Sequence, residues 1–86
     1  MAGYDLRISA SAAKELDALR KKDCARVTAR IRGLANEPRP PGAEKLSGDD
    51  KYRVRQGDYG IVYAIDDMGS AVTIAKIGHR REVYRA

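Results

Sequence analysis

Read from its N-terminus, the hydrophobic pattern of the chain has period two, then about 3.6, then two again. Residues 4–8 (YDLRI) alternate like a half-buried strand. Ser9 or Ser11 then offers a hydroxyl to cap a helix start. Residues 12–22 (AAKELDALRKK) put Ala12, Leu16 and Leu19 on one helical face and charges on the other. Asp23 reads as a second N-cap, followed by Cys24, Val27, Ile31 and Leu34 at helical spacing, with Arg26, Arg30 and Arg32 opposite. That helix must stop before Pro38, because proline disfavours helical geometry in the residue ahead of it. Residues 37–50 read as a proline-stiffened loop, long enough to suggest a surface role.

The return to period two predicts strands over 52–56, 59–65 and 71–77, the last ended by Gly78. Gly57-Asp58 is a two-residue hairpin turn and residues 66–70 a second turn. The predicted fold is α+β in the order β-α-α-β-β-β, an antiparallel sheet with two helices packed on one face. Centring the hairpin on Gly57-Asp58 pairs Gln56 with Tyr59, Arg55 with Gly60, Val54 with Ile61, Arg53 with Val62 and Tyr52 with Tyr63. Tyr52, Val54, Ile61 and Tyr63 then face the helices. Arg53, Arg55, Gly60 and Val62 share the opposite face, expected to be open and cationic.

Composition narrows this picture. Eighty-six residues make one domain, 1–86, with 43% hydrophobic content and neither Trp nor Phe, so Leu, Ile, Val and Ala must build the core with Tyr at its edges. The single Cys24 excludes an internal disulfide and fits a small core residue in a reducing cytoplasm. With the lone His79, it supplies too few ligands for zinc. No signal peptide or membrane-spanning run is visible, so a cytoplasmic chain without a membrane partner is expected. The net charge of +5 is blocked: Lys51, Arg53 and Arg55 in one run, Lys76, Arg80, Arg81 and Arg85 in another. Such clusters attract polyanions, nucleic acid above all, although a basic solvated surface with no partner has the same composition.

The series KLSGDDKYRVRQGDYGIVYAID, followed by IGHRREVY, resembles the RelE/ParE toxin superfamily over nearly the whole chain, the RelE branch more than the ParE branch. The resemblance implies a RelE-like, microbial-ribonuclease-type fold and the toxin half of a type II toxin–antitoxin pair. It implies an endoribonuclease that cuts messenger RNA in the ribosomal A site with no metal or other cofactor. The implied partners are a cognate antitoxin, the ribosome and messenger RNA, with no direct DNA binding by the toxin alone. Position by position, the family's two basic hairpin residues correspond to Arg53 and Arg55. Its C-terminal arginine corresponds to Arg80, with His79 just before it, and its terminal tyrosine to Tyr84. Where relatives carry an arginine after GDY, this chain has Gly60.

Metal-free RNA cleavage needs a base for the 2′-hydroxyl, an acid for the leaving 5′-oxygen and cations for the phosphoryl charge. Arg53, Arg55 and Arg80 suit the last task, because guanidinium binds phosphate oxygens bidentately and stays protonated. Tyr84 can be the base if neighbouring cations lower its pKa, or can stack on a nucleobase. Histidine titrates nearer neutrality than tyrosine, which makes His79 a rival acid–base group. Gly60 predicts weak or absent cleavage. The alternative is a ParE-like chain that inhibits DNA gyrase by binding, without nuclease chemistry.

Overall fold

The structure, a computed structural model, describes residues 3–46 and 50–79. It contains β1 (Asp5–Ile8), α1 (Ala10–Asp17), α2 (Lys21–Asn36), β2 (Glu44–Lys45), β3 (Lys51–Gln56), β4 (Tyr59–Asp66) and β5 (Ala71–His79). The strands form one sheet in the order β1-β5-β4-β3-β2. Both helices pack on one face of it, and Ala12, Val27, Ile31 and Leu34 meet Val54, Ile61, Tyr63, Val72, Ile74 and Ile77 in a common core. The α+β expectation holds, with two changes to the sheet. β1 lies parallel to β5, so the sheet is mixed, and a two-residue strand, β2, forms inside the predicted loop. Period-two alternation marks a strand but carries no direction. A two-residue strand is too short to show a period at all.

Local differences have visible causes. The Ser9 hydroxyl caps α1 by accepting the Ala12 N–H at 3.1 Å. α1 ends at Asp17 rather than at residue 22, yet Leu19 still packs on the core from beyond it. Arg20, not Asp23, holds the N-cap position of α2 and makes no capping bond with its side chain. Asp23 sits in the first turn, where its charge suits the helix dipole, and accepts the Tyr59 hydroxyl at 3.4 Å. Gly78 does not end β5, which runs on to His79. Arg30 is half-buried rather than solvated with the exposed Arg26 and Arg32.

The hairpin register is the predicted one at every pair, from Gln56↔Tyr59 to Tyr52↔Tyr63. Gly57 has φ +60°, the positive value that a first turn residue of a tight hairpin demands. Tyr63 is fully buried, donates to the Pro38 carbonyl at 2.7 Å, and stacks on Tyr52 with ring centroids 5.9 Å apart. Burial pushes its phenol pKa up to about 12.

Two devices close the margins of the sheet. β1 covers β5 only as far as Ile74, leaving the rest of that edge exposed to pairing. There the Ser9 hydroxyl donates to the Ala75 carbonyl at 3.2 Å, and the Glu15 carboxylate accepts the Ile77 N–H at 2.8 Å. At the turn that joins β4 to β5, Asp67 accepts the Tyr4 hydroxyl at 2.9 Å and both terminal Arg39 nitrogens at 3.2 and 2.9 Å. Arg39 also lies 5.2 Å from the centroid of the Tyr52 ring. Arg39, then Tyr4, hold the Asp67 carboxyl below its ordinary range.

Replacing Glu15 tests the edge device. Glu15→Ala leaves the Ile77 amide without its acceptor and should lower the urea-unfolding free energy by about 1–2 kcal/mol, with Glu15→Gln, which keeps an acceptor oxygen, costing far less. The Asp67 clasp predicts a pH signature. A depressed carboxyl stabilises the fold above the unfolded-state value, about pH 4, and loses that contribution as pH falls through the folded value. The stability gap between the parent and Asp67→Asn should therefore be largest near neutrality and shrink in acid, as thermal melts over that range would read.

Candidate functional site

The face of the sheet turned away from the helices carries the candidate site. Cross-strand register sets its rows: Glu44, Arg53, Val62 and Lys76 in one, and Arg55, Gly60 and Gly78 in the next. Arg53 and Arg55 are thus brought to one face, two residues apart on β3, as the alternation requires. Next to Arg55 two glycines stand side by side on β4 and β5, where no side chain projects from the sheet. β5 reaches this register through an irregularity opposite Val62 and Tyr63, where Lys76 and Ile74 pair and Ala75 is passed over.

The face is cationic but not fully open. Val62 is only 8% exposed and Gly60 is buried. Arg53 is held by Glu44, its direct cross-strand neighbour on β2, through a 2.8 Å charge-assisted hydrogen bond. Arg53, with a smaller contribution from Arg55, holds the Glu44 carboxyl below its usual range. Lys76 reaches toward Glu15 at 3.8 Å around the β5 edge. Glu44 and Lys76 were missed by the sequence analysis. Lys76 was named only as part of a basic run, because strict alternation from Val72 and Ile74 would turn it inward and only the irregularity at Ala75 brings it to this face. Glu44 gave no signal, because its strand is two residues long and set in a proline- and glycine-rich segment.

His79 is placed elsewhere. It pairs with Tyr59, in step with Ile61 and Ile77, so its ring belongs to the helix-facing side. There it meets the Tyr59 ring edge-on at 6.0 Å and lines a small cleft with Glu15, Leu19 and Ile77. The sheet stands between His79 and the guanidinium groups of Arg53 and Arg55. Arg80 and Tyr84 lie outside the described residues. Among the described residues no cluster of His, Cys, Asp and Glu could hold a metal ion, and no helix is long and apolar enough to cross a membrane.

Comparison with known proteins bears on the fold and the family. Residues 6–84 match a family model described as the ParE toxin of a type II toxin–antitoxin system. Among curated proteins of Mycobacterium tuberculosis, the chain is 38% identical to Toxin RelE over 85 residues, covering 95% of this chain and 87% of that one. It is 31% identical to Toxin RelG over 86 residues, covering 95% and 97%. Among solved structures it resembles the toxin–antitoxin complex RelBE2 of the same organism, with TM-score 0.81, 28% identity, and coverage of 93% of this chain and 94% of that one. With the family model spanning nearly the whole chain, and the curated likenesses nearly as extensive, this chain belongs to the RelE/ParE superfamily of type II toxins.

Proposed function

We propose that the chain is a ribosome-dependent endoribonuclease of the RelE kind, cutting messenger RNA in the A site and held in check by a cognate antitoxin. The observation that carries this reading is the convergence of Arg53 and Arg55 on one sheet face beside the Gly60–Gly78 pair. A phosphodiester laid across that face meets the guanidinium groups of Arg53, held by Glu44, and Arg55. In the proposed reaction, Arg53, Arg55 and Arg80 hold the phosphoryl oxygens while the 2′-oxygen, its proton passing to the base, bonds to phosphorus, the bond to the 5′-oxygen breaks, and that oxygen takes a proton from water. Tyr84 is the proposed base, because the sheet separates the His79 ring from the guanidinium pair. Glu44 orients Arg53 and stays ionised beside it.

Gly60 is the weak point of this machinery. Its place is directly across from Arg55, where the family resemblance implies one more guanidinium, and loss of one such donor typically costs about 10²–10³ in rate. The antitoxin partner is supported by relatives solved as complexes with RelB proteins. It also suits a small core and a β3 edge that β2 covers only at Tyr52 and Arg53.

A second reading has one specific observation behind it, the match to a family model described by ParE toxins. In that reading the chain binds DNA gyrase and cuts nothing. Cell-free translation separates the two, since a nuclease truncates messages on ribosomes and a gyrase inhibitor leaves them whole.

Gly60→Arg should raise message cleavage on translating ribosomes by about 10²–10³, measured by primer extension. Arg53→Ala, Arg55→Ala or Arg80→Ala in that background should each remove a comparable factor. No gain from Gly60→Arg, with the variant folded, would contradict the assignment of position 60.

A further inference from the structure

We propose that the cleft between α2 and the turn before β2 holds a second phosphate of the RNA strand, adjacent to the one at the cleavage point, with Arg30 and Arg55 as its ligands. This rests on the RNA-cutting reading above. The cleft has a volume of about 470 Å³ and is lined by Arg30, Gly42, Ala43, Glu44 and Arg55. That size admits a phosphate with part of its sugar.

Arg30 is the unusual member. It is half-buried on α2, and its Nε is shielded from solvent with no hydrogen-bond partner among the described residues. The same holds for the Arg53 Nε, so it is the place of Arg30 in the cleft lining, and not the shielded nitrogen alone, that points to an anion. The charge of Arg30 also acts on Tyr63, opposing the upward pull of burial on that phenol, which places it against the core rather than in bulk water.

The opposite wall is built for close approach. Gly42 has φ +92°, a backbone conformation that side chains rarely adopt, and a Cβ there would meet no atom within 4 Å. Glu44 is the one anionic group in the lining and disfavours a phosphate. Its charge is already matched by Arg53 at 2.8 Å, so Arg30 adds a cation to the cleft that Glu44 does not neutralise. A nucleic-acid phosphate suits the site better than a protein carboxylate because of continuity. Arg55 lines the cleft and also stands on the sheet face with Arg53, so a strand crossing that face passes over the β3 edge, past the end of β2, into the cleft.

The test is binding, not cleavage. A short single-stranded RNA with 2′-O-methyl groups, which cannot be cut, is titrated by fluorescence anisotropy against the full chain over a range of salt. Arg30→Gln should weaken binding roughly tenfold, the worth of one charge-assisted hydrogen bond. The plot of log affinity against log salt should become shallower by about 0.7, one phosphate contact on a single strand. Arg30→Lys should keep most of that slope, which a merely structural role would not predict. Should Arg30→Gln fold poorly, Arg30→Met keeps the apolar stem and carries the same expectation. If Arg30→Gln binds with the parent's affinity and slope while Arg53→Ala does not, the cleft proposal is overturned and the RNA reading stands. The proposal also fails if Arg30→Gln spares RNA but weakens binding of an acidic protein partner. Absence of RNA binding by the parent overturns both.

Discussion

The pairing of β3 with β4 is the constraint on which the rest depends. Its register puts Val54, Ile61 and Tyr63 into the core and, by the same alternation, Arg53 and Arg55 onto the far face. A one-residue slip would bury two guanidinium groups under the helices and expose the largest core side chains, an exchange the fold cannot tolerate. The core therefore specifies the cationic face as firmly as it specifies itself. Gly57, with its positive φ, fixes where the turn falls, and Tyr63 locks the strand by donating its buried hydroxyl to Pro38.

Around that hairpin the remaining elements act as braces. Ser9 and Glu15 occupy the part of β5 that β1 leaves bare, so the N-terminal helix closes the edge with side-chain oxygens instead of another strand. Asp67 gathers Tyr4 from the N-terminal segment and Arg39 from the loop after α2. Glu44 holds Arg53 from the short strand beyond it. Each brace joins segments distant in sequence. In a chain this small, such ties limit how far the cationic face can shift when an anion arrives.

Much of this was legible in the residues themselves. The hairpin could be read pair by pair because a two-residue glycine turn and strict alternation leave one register that buries Val54 with Ile61. The apolar stripe of α2 was equally clear, and Val27, Ile31 and Leu34 are all buried. What could not be read depends on contacts between distant elements. The direction of β1 is decided by the crossover that brings it beside β5. Asp23 is drawn to Tyr59, 36 residues away in sequence, rather than to the helix start. Arg30 looks like any surface arginine on a helical wheel, and only the tertiary fold half-buries it beside a cleft. His79 is a like case, since the irregularity in β5 and its pairing with Tyr59 turn it to the helix side, which no motif reveals.

The central claim is that RNA is held on the sheet face carrying Arg53 and Arg55, opposite the helices. Amide chemical-shift mapping by NMR, with the labelled chain titrated by a short uncleavable RNA, tests it most directly. The account predicts that the largest changes fall at Arg53, Arg55, Gly60, Val62, Lys76 and Gly78, with Leu16, Leu19 and Tyr59 little moved. Changes concentrated on those last three residues, with the arginine face silent, would contradict it.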